Sequence, residues 1–293
     1  MPAGGAASDG GMGVRIDRME ERSASFLIEG VEPAFANALR RSLIADLPKL
    51  AIEDVEFHLG PIRAEDGKES ESVAPLFDEM IAHRLGLVPL PTDSKLFVAR
   101  ATCPACGGEG CPNCTVIYSL NKRGPAMVYS GDLEPIGDAK FKPVDTGIPI
   151  VKLGEGQALL VYATAQLGFG RDHAKWQVAH AVGYKYRPVV KVDNRKMDPE
   201  KYPVDVCPVN ILHHRDGKVA VDPEERCILC MRCVEVAKEN GWEGAFDVRG
   251  NPRAILFHLE TDGSMSAKTA VLEALETLET KFSTVADQAS ALD

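Results

Sequence analysis

The sequence predicts a mixed fold of the α+β class, with strands and helices in different stretches of the chain. Three observations predict it. The N-terminal region contains two short strands and an amphipathic helix, and the C-terminal region contains a strand and a long helix. The residues between them alternate short apolar runs with Gly and Pro turns. With 293 residues, the chain is long enough for two or three domains.

The N-terminal region has the pattern of two strands and one helix. Val14–Ile16 and Ala24–Ile28 are apolar runs on either side of a charged turn. Pro33 suits the first position of a helix, and Pro48 ends that helix at the preceding residue. Large apolar residues recur every four positions along one face of this helix: Phe35, Leu39, Leu43 and Leu47.

The C-terminal region has the pattern of one strand and one long helix. Arg253–Glu260 is rich in Ile, Leu and Phe, and a Thr-Asp-Gly turn follows it. A helix is predicted over 267–287. Its large apolar residues step by three and four, which suits packing against a second helix, either in a partner or in the same chain. They are Val271, Leu275, Leu278, Phe282 and Val285.

Composition and charge restrict the classes of function. The formal net charge is -10, and nucleic-acid backbone is bound through Lys and Arg, so any contact with DNA is expected to be indirect. No apolar run reaches the roughly 18 residues that span a bilayer, and no membrane contact is expected. Residues 1–12 are rich in Gly, Ala and Ser and lack signal-peptide features. They predict a flexible tail on a cytoplasmic protein.

The eight cysteines fall into two groups of four, and the first group has the spacing of a metal site. Two C-x-x-C pairs are separated by four residues, and glycines between them let the backbone fold back. Four soft thiolates in a closed site favour structural zinc. A labile disulfide-forming loop and an iron–sulfur site are the alternatives. The cysteines are Cys103, Cys106, Cys111 and Cys114.

The second group has the spacing of an iron–sulfur site. Cys227, Cys230 and Cys233 form C-x-x-C-x-x-C, and Cys207 lies upstream, followed by Pro208. In bacterial-type ferredoxins, three cysteines of such a run share a cluster with a remote Cys-Pro. The pattern predicts one [4Fe–4S] cluster on these four thiolates, with a zinc site as the alternative.

A two-cluster ferredoxin needs a second ligand set, and this chain lacks it. The four positions where those cysteines are expected hold Met197, Glu200, Pro203 and Ala237. The joint loss of all four predicts a ferredoxin-like domain reduced to one cluster. The cluster would act either as a structural staple or as a redox-sensitive element.

Four segments in the same order resemble the alpha-like subunits of RNA polymerase. They are Ala34–Pro48, Ala51–Val55, Asp78–Leu90 and Gly170–Gln177. Together with the ferredoxin-like insertion, they make the chain most similar to the archaeal members of this alpha-like family. The resemblance extends from about Gly13 to Phe282.

The resemblance implies an assembly platform with no catalytic residues of its own. The chain ends, 13–49 and 251–293, would form one discontinuous dimerisation domain. Residues 50–192 would form a β-rich insert that carries the first cysteine group, and 193–250 the ferredoxin-like insert. The domain would pair with the small subunit L, and this heterodimer would recruit subunits N and P and the second-largest catalytic subunit. Nucleotidyl transfer would belong to the large subunits.

The resemblance also implies roles for particular side chains. The dimer interface would come from two helical stripes: Phe35, Leu39, Leu43 and Leu47, with Val271, Leu275, Leu278 and Phe282. Contacts to other subunits would come from Arg40, Arg41, Arg171, Asp172, His173, Lys175 and Trp176. For the first two arginines a solvated helix face is the alternative, and for the Asp–His pair a structural hydrogen bond. The sequence contains no phosphate-binding loop and no nucleophile elbow.

Two other classes of function compete with the polymerase interpretation. An electron-transfer iron–sulfur subunit of an oxidoreductase would use the cluster as a relay, which normally needs another centre close by. That interpretation leaves the polymerase-like helix unexplained. A zinc-ribbon module that binds nucleic acid is disfavoured by the acidic balance of the chain.

Overall fold

The structure, a computed structural model, describes residues 11–63 and 69–292, so the tail predicted at 1–12 lies almost wholly outside the described residues. None of the helices in the described part is both long and apolar enough to cross a bilayer. In chain order the elements are β1 (Gly13–Met19), β2 (Ser23–Glu29), α1 (Pro33–Ala45), β3 (Pro48–Phe57), β4 (Pro61–Arg63), β5 (Glu69–Glu71), α2 (Asp78–Gly86), β6 (Thr115–Arg123), β7 (Ala126–Tyr129), β8 (Glu134–Pro135), β9 (Pro149–Leu153), β10 (Ala158–Phe169), β11 (Ala179–Val192), β12 (Leu212–Arg215), β13 (Lys218–Val221), α3 (Arg232–Glu239), β14 (Phe246–Thr261) and α4 (Ala267–Ser290).

Strands from both chain ends lie in one four-stranded sheet, in the order β1-β2-β14-β11. Backbone hydrogen bonds continue this link past the strands. The Thr261 N–H donates to the Arg22 carbonyl oxygen at 2.8 Å, and the Ala267 N–H donates to the Glu21 carbonyl oxygen at 2.8 Å. The prediction of an α+β fold is therefore confirmed. The domain boundaries expected at residues 49, 192 and 250 stay predictions.

Helices α1 and α4 touch through small residues. The buried positions of α4 are Ala267, Ala270 and Ala274. The buried Ser42 of α1 donates its hydroxyl to the carbonyl oxygen of Ala274 at 3.2 Å. Alanine has no side chain beyond Cβ, so the two helix backbones approach closely enough for this hydrogen bond. The core face of α4 is thus made of alanines, and its large apolar residues point elsewhere.

The chain forms two compact units in its described part. The larger comprises 18–24, 38–63, 69–182 and 258–292. Its main sheet has the order β3-β10-β6-β8, in which β3 and β6 both pair antiparallel with the long β10. Helix α2 packs against β3. Leu50, Ile52, Ile81, Leu85 and Tyr118 are among the fully buried side chains of this core.

The smaller unit comprises 11–17, 25–37 and 183–257. It contains the hairpin of β12 and β13 and the short helix α3. A buried cluster joins these elements to β14. It includes Met197, Tyr202, Ile211, Val236 and Phe246.

Several element boundaries differ from the sequence-based prediction, most of them by one to three residues. Helix α1 ends at Ala45 rather than Leu47. Strand β14 begins at Phe246, seven residues before the predicted start at Arg253. The added stretch contains Gly250 and Pro252, residue types that usually weaken a strand pattern. A Cβ at Gly250 would lie 2.8 Å from the Cβ of Tyr186, so a glycine is needed where β14 passes β11.

Candidate metal centres and subunit surface

The first cysteine group is assembled as the spacing predicts. All four sulfur atoms lie within 4.8 Å of one another. The Cys103–Cys111 and Cys106–Cys114 sulfur pairs are each 3.7 Å apart, and Cys111–Cys114 are 3.8 Å apart. Four thiolates arranged tetrahedrally at Zn–S bonds of about 2.3 Å would be separated by about 3.8 Å. The donor set therefore fits a single tetrahedral ion.

The loop backbone accounts for this geometry. Gly107, Gly108 and Gly110 have φ values of 62°, 101° and 112°, which side-chain-bearing residues rarely adopt. This reversal turns the Gly110 N–H toward the sulfur of Cys106, at 3.3 Å. The Cys111 N–H likewise donates to the sulfur of Cys114 at 3.3 Å. Backbone N–H groups that point at sulfur favour thiolates over thiols.

Two thiols of this group have pKa values shifted in opposite directions. Hydrogen bonds from the backbone, first from Gly110, lower the pKa of Cys106 to about 6. Burial raises the pKa of Cys114 to about 12 and favours its neutral thiol. A divalent cation among the four sulfurs would favour the thiolate at every position, because a coordinating thiol is deprotonated outright.

Arg100 ties the loop to the sheet, and sequence reasoning did not identify it. Its guanidinium donates to the carbonyl oxygens of Gly108 at 3.1 Å and Glu109 at 3.0 Å. The same group forms an ion pair with Asp54 of β3 at 2.8 Å. The sequence gives no sign of this role, because Asp54 lies far from Arg100 along the chain and the two meet only in the folded structure.

The second cysteine group lines one small cavity in the smaller unit. Cys207, Cys227, Cys230 and Cys233 all contribute to its wall, and apolar side chains such as Ile211 form the rest. The fold thus brings the four sequence-predicted cysteines to one cavity.

The backbone curls around this cavity. Leu229 and Met231 have φ values of 55° and 63°, the left-handed region that non-glycine residues rarely occupy. Helix α3 begins directly afterwards, so Cys233 lies in its first turn, where the helix dipole favours negative charge. Burial raises the pKa of Cys233 to about 11, and the neighbouring cysteines add to the effect.

Cys207 and Cys227 occupy equivalent local positions. Each follows a single 3-10 turn, Val204–Val206 and Glu224–Arg226 respectively. The Cys227 segment is also held by Lys185 of β11, whose ammonium donates to the carbonyl oxygens of Glu225 at 2.6 Å and Cys227 at 3.1 Å. Sequence reasoning missed Lys185 because it lies about forty positions upstream in an unremarkable strand.

The positions of the lost second ligand set do not fit a second cluster. Met197 and Ala237 are buried in the apolar cluster of the smaller unit, and Glu200 is exposed. Pro203 is half-buried. None of these four positions carries a thiol.

The two predicted interface stripes differ in exposure. Leu39, Leu43 and Leu47 of the α1 stripe are fully buried by the chain itself, and Phe35 is half-buried. The three leucines are core residues and present no surface to a partner.

The α4 stripe faces outward instead. Phe282 is 67% exposed, Val285 63% and Leu275 36%, while Val271 and Leu278 are half-buried. These residues share one side of the helix, since they step by three and four. They therefore form an apolar strip on the outside of the chain, which we call the α4 strip.

The segment 171–176 makes contacts within the chain. Trp176 is buried, its indole N–H donates to the Gln166 carbonyl oxygen at 3.3 Å, and His173 meets its ring edge-on. Lys175 lies 4.4 Å above the same ring and pairs with Glu53.

Arg171 also makes contacts within the chain. Arg171 pairs with Asp46 at 3.3 Å and lies 4.0 Å from Asp172. Of the arginines predicted to contact subunits, Arg40 is half-buried and Arg41 is exposed on α1. The 171–176 segment thus anchors the end of α1, and its contacts to other subunits stay a prediction.

Comparison with known proteins gives the family. Residues 63–185 match the family model of the RNA polymerase Rpb3/RpoA insert domain. The DNA-directed RNA polymerase subunit Rpo3 of Picrophilus torridus is 40% identical over 275 residues, which cover 94% of this chain and 98% of that protein. The Rpo3 of Thermoplasma volcanium is 41% identical over 279 residues, 95% of this chain and all of that protein. This chain belongs to the Rpo3 family of archaeal RNA polymerase subunits.

Membership of the Rpo3 family confirms the resemblance found in the sequence. The Rpo3 of Methanosarcina acetivorans, 38% identical over 272 residues, covers 92% of this chain as well. The match extends along nearly the whole chain, so the chain is a polymerase subunit rather than an electron-transfer protein that shares one insert. The insert-domain match also contains the first cysteine group.

Proposed function

We propose that this Rpo3 chain is the non-catalytic assembly platform of a cytoplasmic DNA-dependent RNA polymerase. It pairs with the small subunit L, and the heterodimer recruits subunits N and P and the second-largest catalytic subunit. DNA is contacted indirectly. The observation that carries the proposal is the α4 strip, whose large apolar residues are exposed while the same helix uses alanines toward its own core.

The energetics favour a partner on the α4 strip. Complete burial of a Phe, Leu or Val side chain contributes about 1.5–3 kcal/mol each. Phe282, Val285 and Leu275 together could therefore contribute several kcal/mol to association when a second helix covers them. Their spacing presents them to a helix lying alongside, as in an antiparallel or parallel helix pair.

Co-expression of the chain with the small subunit tests the platform function. Phe282→Glu places a charge in the strip, and we expect it to abolish co-purification of the small subunit or to weaken it at least about tenfold. Ser283→Glu is the matched control, because the exposed Ser283 lies beside Phe282 but away from the strip. Retention of the partner by Phe282→Glu at wild-type stoichiometry would contradict the proposal.

We further propose that the smaller unit holds one [4Fe–4S] cluster on Cys207, Cys227, Cys230 and Cys233. Two features support a cluster over zinc: the C-x-x-C-x-x-C run and the remote Cys-Pro. All four cysteines line one cavity. The cluster would hold the segment together or sense oxidants. Full-length protein purified without oxygen should contain about four irons and four sulfides per chain; zinc in their place would refute the assignment.

For the first group, we propose one structural zinc on Cys103, Cys106, Cys111 and Cys114. The 3.7–3.8 Å sulfur separations support it over the disulfide and iron–sulfur alternatives. A closed four-thiolate site has no open position for a substrate, so the ion would stabilise the loop rather than catalyse a reaction. One equivalent of zinc in protein prepared without chelator is the expected result.

A further inference from the structure

Tyr202 is the polar member of the apolar cluster beside the second cysteine group. It is 1% exposed, and its hydroxyl donates to the backbone carbonyl oxygen of Cys233 at 2.9 Å. Its ring packs on Phe246 with centroids 4.9 Å apart and on Trp242 at 6.1 Å. A buried tyrosine with its hydroxyl satisfied and its ring enclosed has a single well-defined orientation.

These aromatic rings lie where the lost ligand positions are. Tyr202 directly precedes Pro203, and it shares its buried cluster with Met197 and Ala237. The backbone N–H of Trp242 donates to the Ala237 carbonyl oxygen at 2.8 Å. Side chains thus fill the space around these positions with well-packed apolar groups.

The Tyr202 hydroxyl is bonded to a residue whose own thiol belongs to the second cysteine group. Cys233 lies in the first turn of α3, so a hydrogen bond to its carbonyl oxygen restrains the start of that helix. The thiol of the same residue lines the cysteine cavity. An outer hydrogen bond that orients a ligand residue typically changes metal affinity 10–100-fold when removed.

We propose that Tyr202 is a positioning residue for the cluster, an inference that rests on the proposed [4Fe–4S] site. Its hydroxyl fixes the first turn of α3 and, with it, the direction of the Cys233 thiolate. Its ring packs with Phe246 and Trp242 in the same buried cluster as Cys207 and Cys227, and this packing excludes water and dissolved oxygen from that side of the cysteine group.

The test compares full-length proteins purified without oxygen. Tyr202→Phe removes only the hydroxyl. Tyr118→Phe is the matched control, because Tyr118 is also fully buried and donates to a backbone carbonyl, that of Phe141 at 2.7 Å, in the larger unit. Iron and sulfide content, the decay of visible absorbance in air, the midpoint potential and the electron paramagnetic resonance spectrum of the reduced protein are measured for each.

We expect Tyr202→Phe to retain its iron and to show a shifted electron paramagnetic resonance spectrum. Its absorbance should bleach in air about fivefold faster than that of wild type, because a factor of about five in rate corresponds to the free energy of one hydrogen bond. Tyr118→Phe should bleach at the wild-type rate with an unchanged spectrum, although both variants lose thermal stability. Phe246→Leu keeps the hydroxyl and thins the packing; it should bleach faster with an unchanged spectrum.

Two results would overturn the inference, and they are distinguishable. If the wild-type protein holds the cluster and Tyr202→Phe matches it in bleaching rate, midpoint potential and spectrum, the positioning role alone is overturned. Wild-type protein without iron and sulfide overturns the proposed cluster and the positioning role together.

Discussion

Arg100 ties the first cysteine loop to strand β3. It holds two loop carbonyl oxygens and an aspartate of β3 at once, and a planar guanidinium is the side chain whose geometry permits this. The four cysteines supply the donors, and this side chain links the loop to the sheet.

Substitution of Arg100 should therefore weaken metal retention without removing a ligand. We expect Arg100→Lys to release zinc to a chelator about 10–100-fold faster than wild type, since lysine cannot donate in the same fork. A colorimetric chelator assay measures the rate. Arg195→Lys is the control, because that arginine is 90% exposed and pairs only with the nearby Asp193 in the described structure; equal release rates for the two variants would contradict the role of Arg100.

The second prediction at the scale of residues concerns the close packing of Gly168. A Cβ at this position would lie 2.3 Å from the ring of Trp176, which is itself buried and cannot move freely. We expect Gly168→Ala to lower the free energy of unfolding by about 1–3 kcal/mol, the usual cost of overpacking. Gly183→Ala, at a strand position where a Cβ meets nothing within 4 Å, should be close to neutral in the same denaturant titration.

At this scale the sequence predicts which cysteines come together, but it does not predict their long-range partners. Spacing alone assigns each cysteine to a group, because a metal ion or cluster needs all of its ligands within a few ångströms and the C-x-x-C turn supplies two at once. Arg100, Lys185 and Tyr202 carry no such local signature. Each acts through a carbonyl oxygen, which every residue possesses.

At the scale of elements, α4 shows why apolar periodicity is ambiguous. The stripes of α1 and α4 look alike in sequence, yet the α1 leucines are core and the α4 strip is surface. Periodicity identifies one face of a helix but not what covers it. In α4 the core face consists of alanines, which a search for large apolar residues passes over.

The start of α4 is predicted to depend on Ser266. Its hydroxyl oxygen accepts a hydrogen bond from the Thr269 N–H at 3.1 Å, satisfying one of the helix's unpaired donors. Ser266→Ala should cost about 1 kcal/mol of stability. Ser266→Asp should keep most of that stability, because the aspartate carboxylate also accepts the hydrogen bond and its negative charge interacts favourably with the positive end of the helix dipole. Thermal unfolding of the three proteins checks this order; equal midpoints for all three would contradict the capping role.

At the scale of the whole molecule, the chain combines a net negative charge with the exposed apolar α4 strip. A net charge of -10 opposes association between identical copies, whereas the α4 strip promotes it. Charge repulsion is screened by salt and apolar burial is not, so the balance between these effects changes with ionic strength.

The isolated chain should therefore self-associate more as salt is added, and the strip should be responsible. We expect light scattering of the full chain to report a larger apparent mass at 1 M than at 0.05 M sodium chloride, where screening lengths are about 3 Å and above 10 Å respectively. Phe282→Glu should suppress this increase, while Ser283→Glu should leave it. A salt response of Phe282→Glu equal to that of wild type would show that another surface drives association, and the α4 strip would then lose its role as the principal apolar interface.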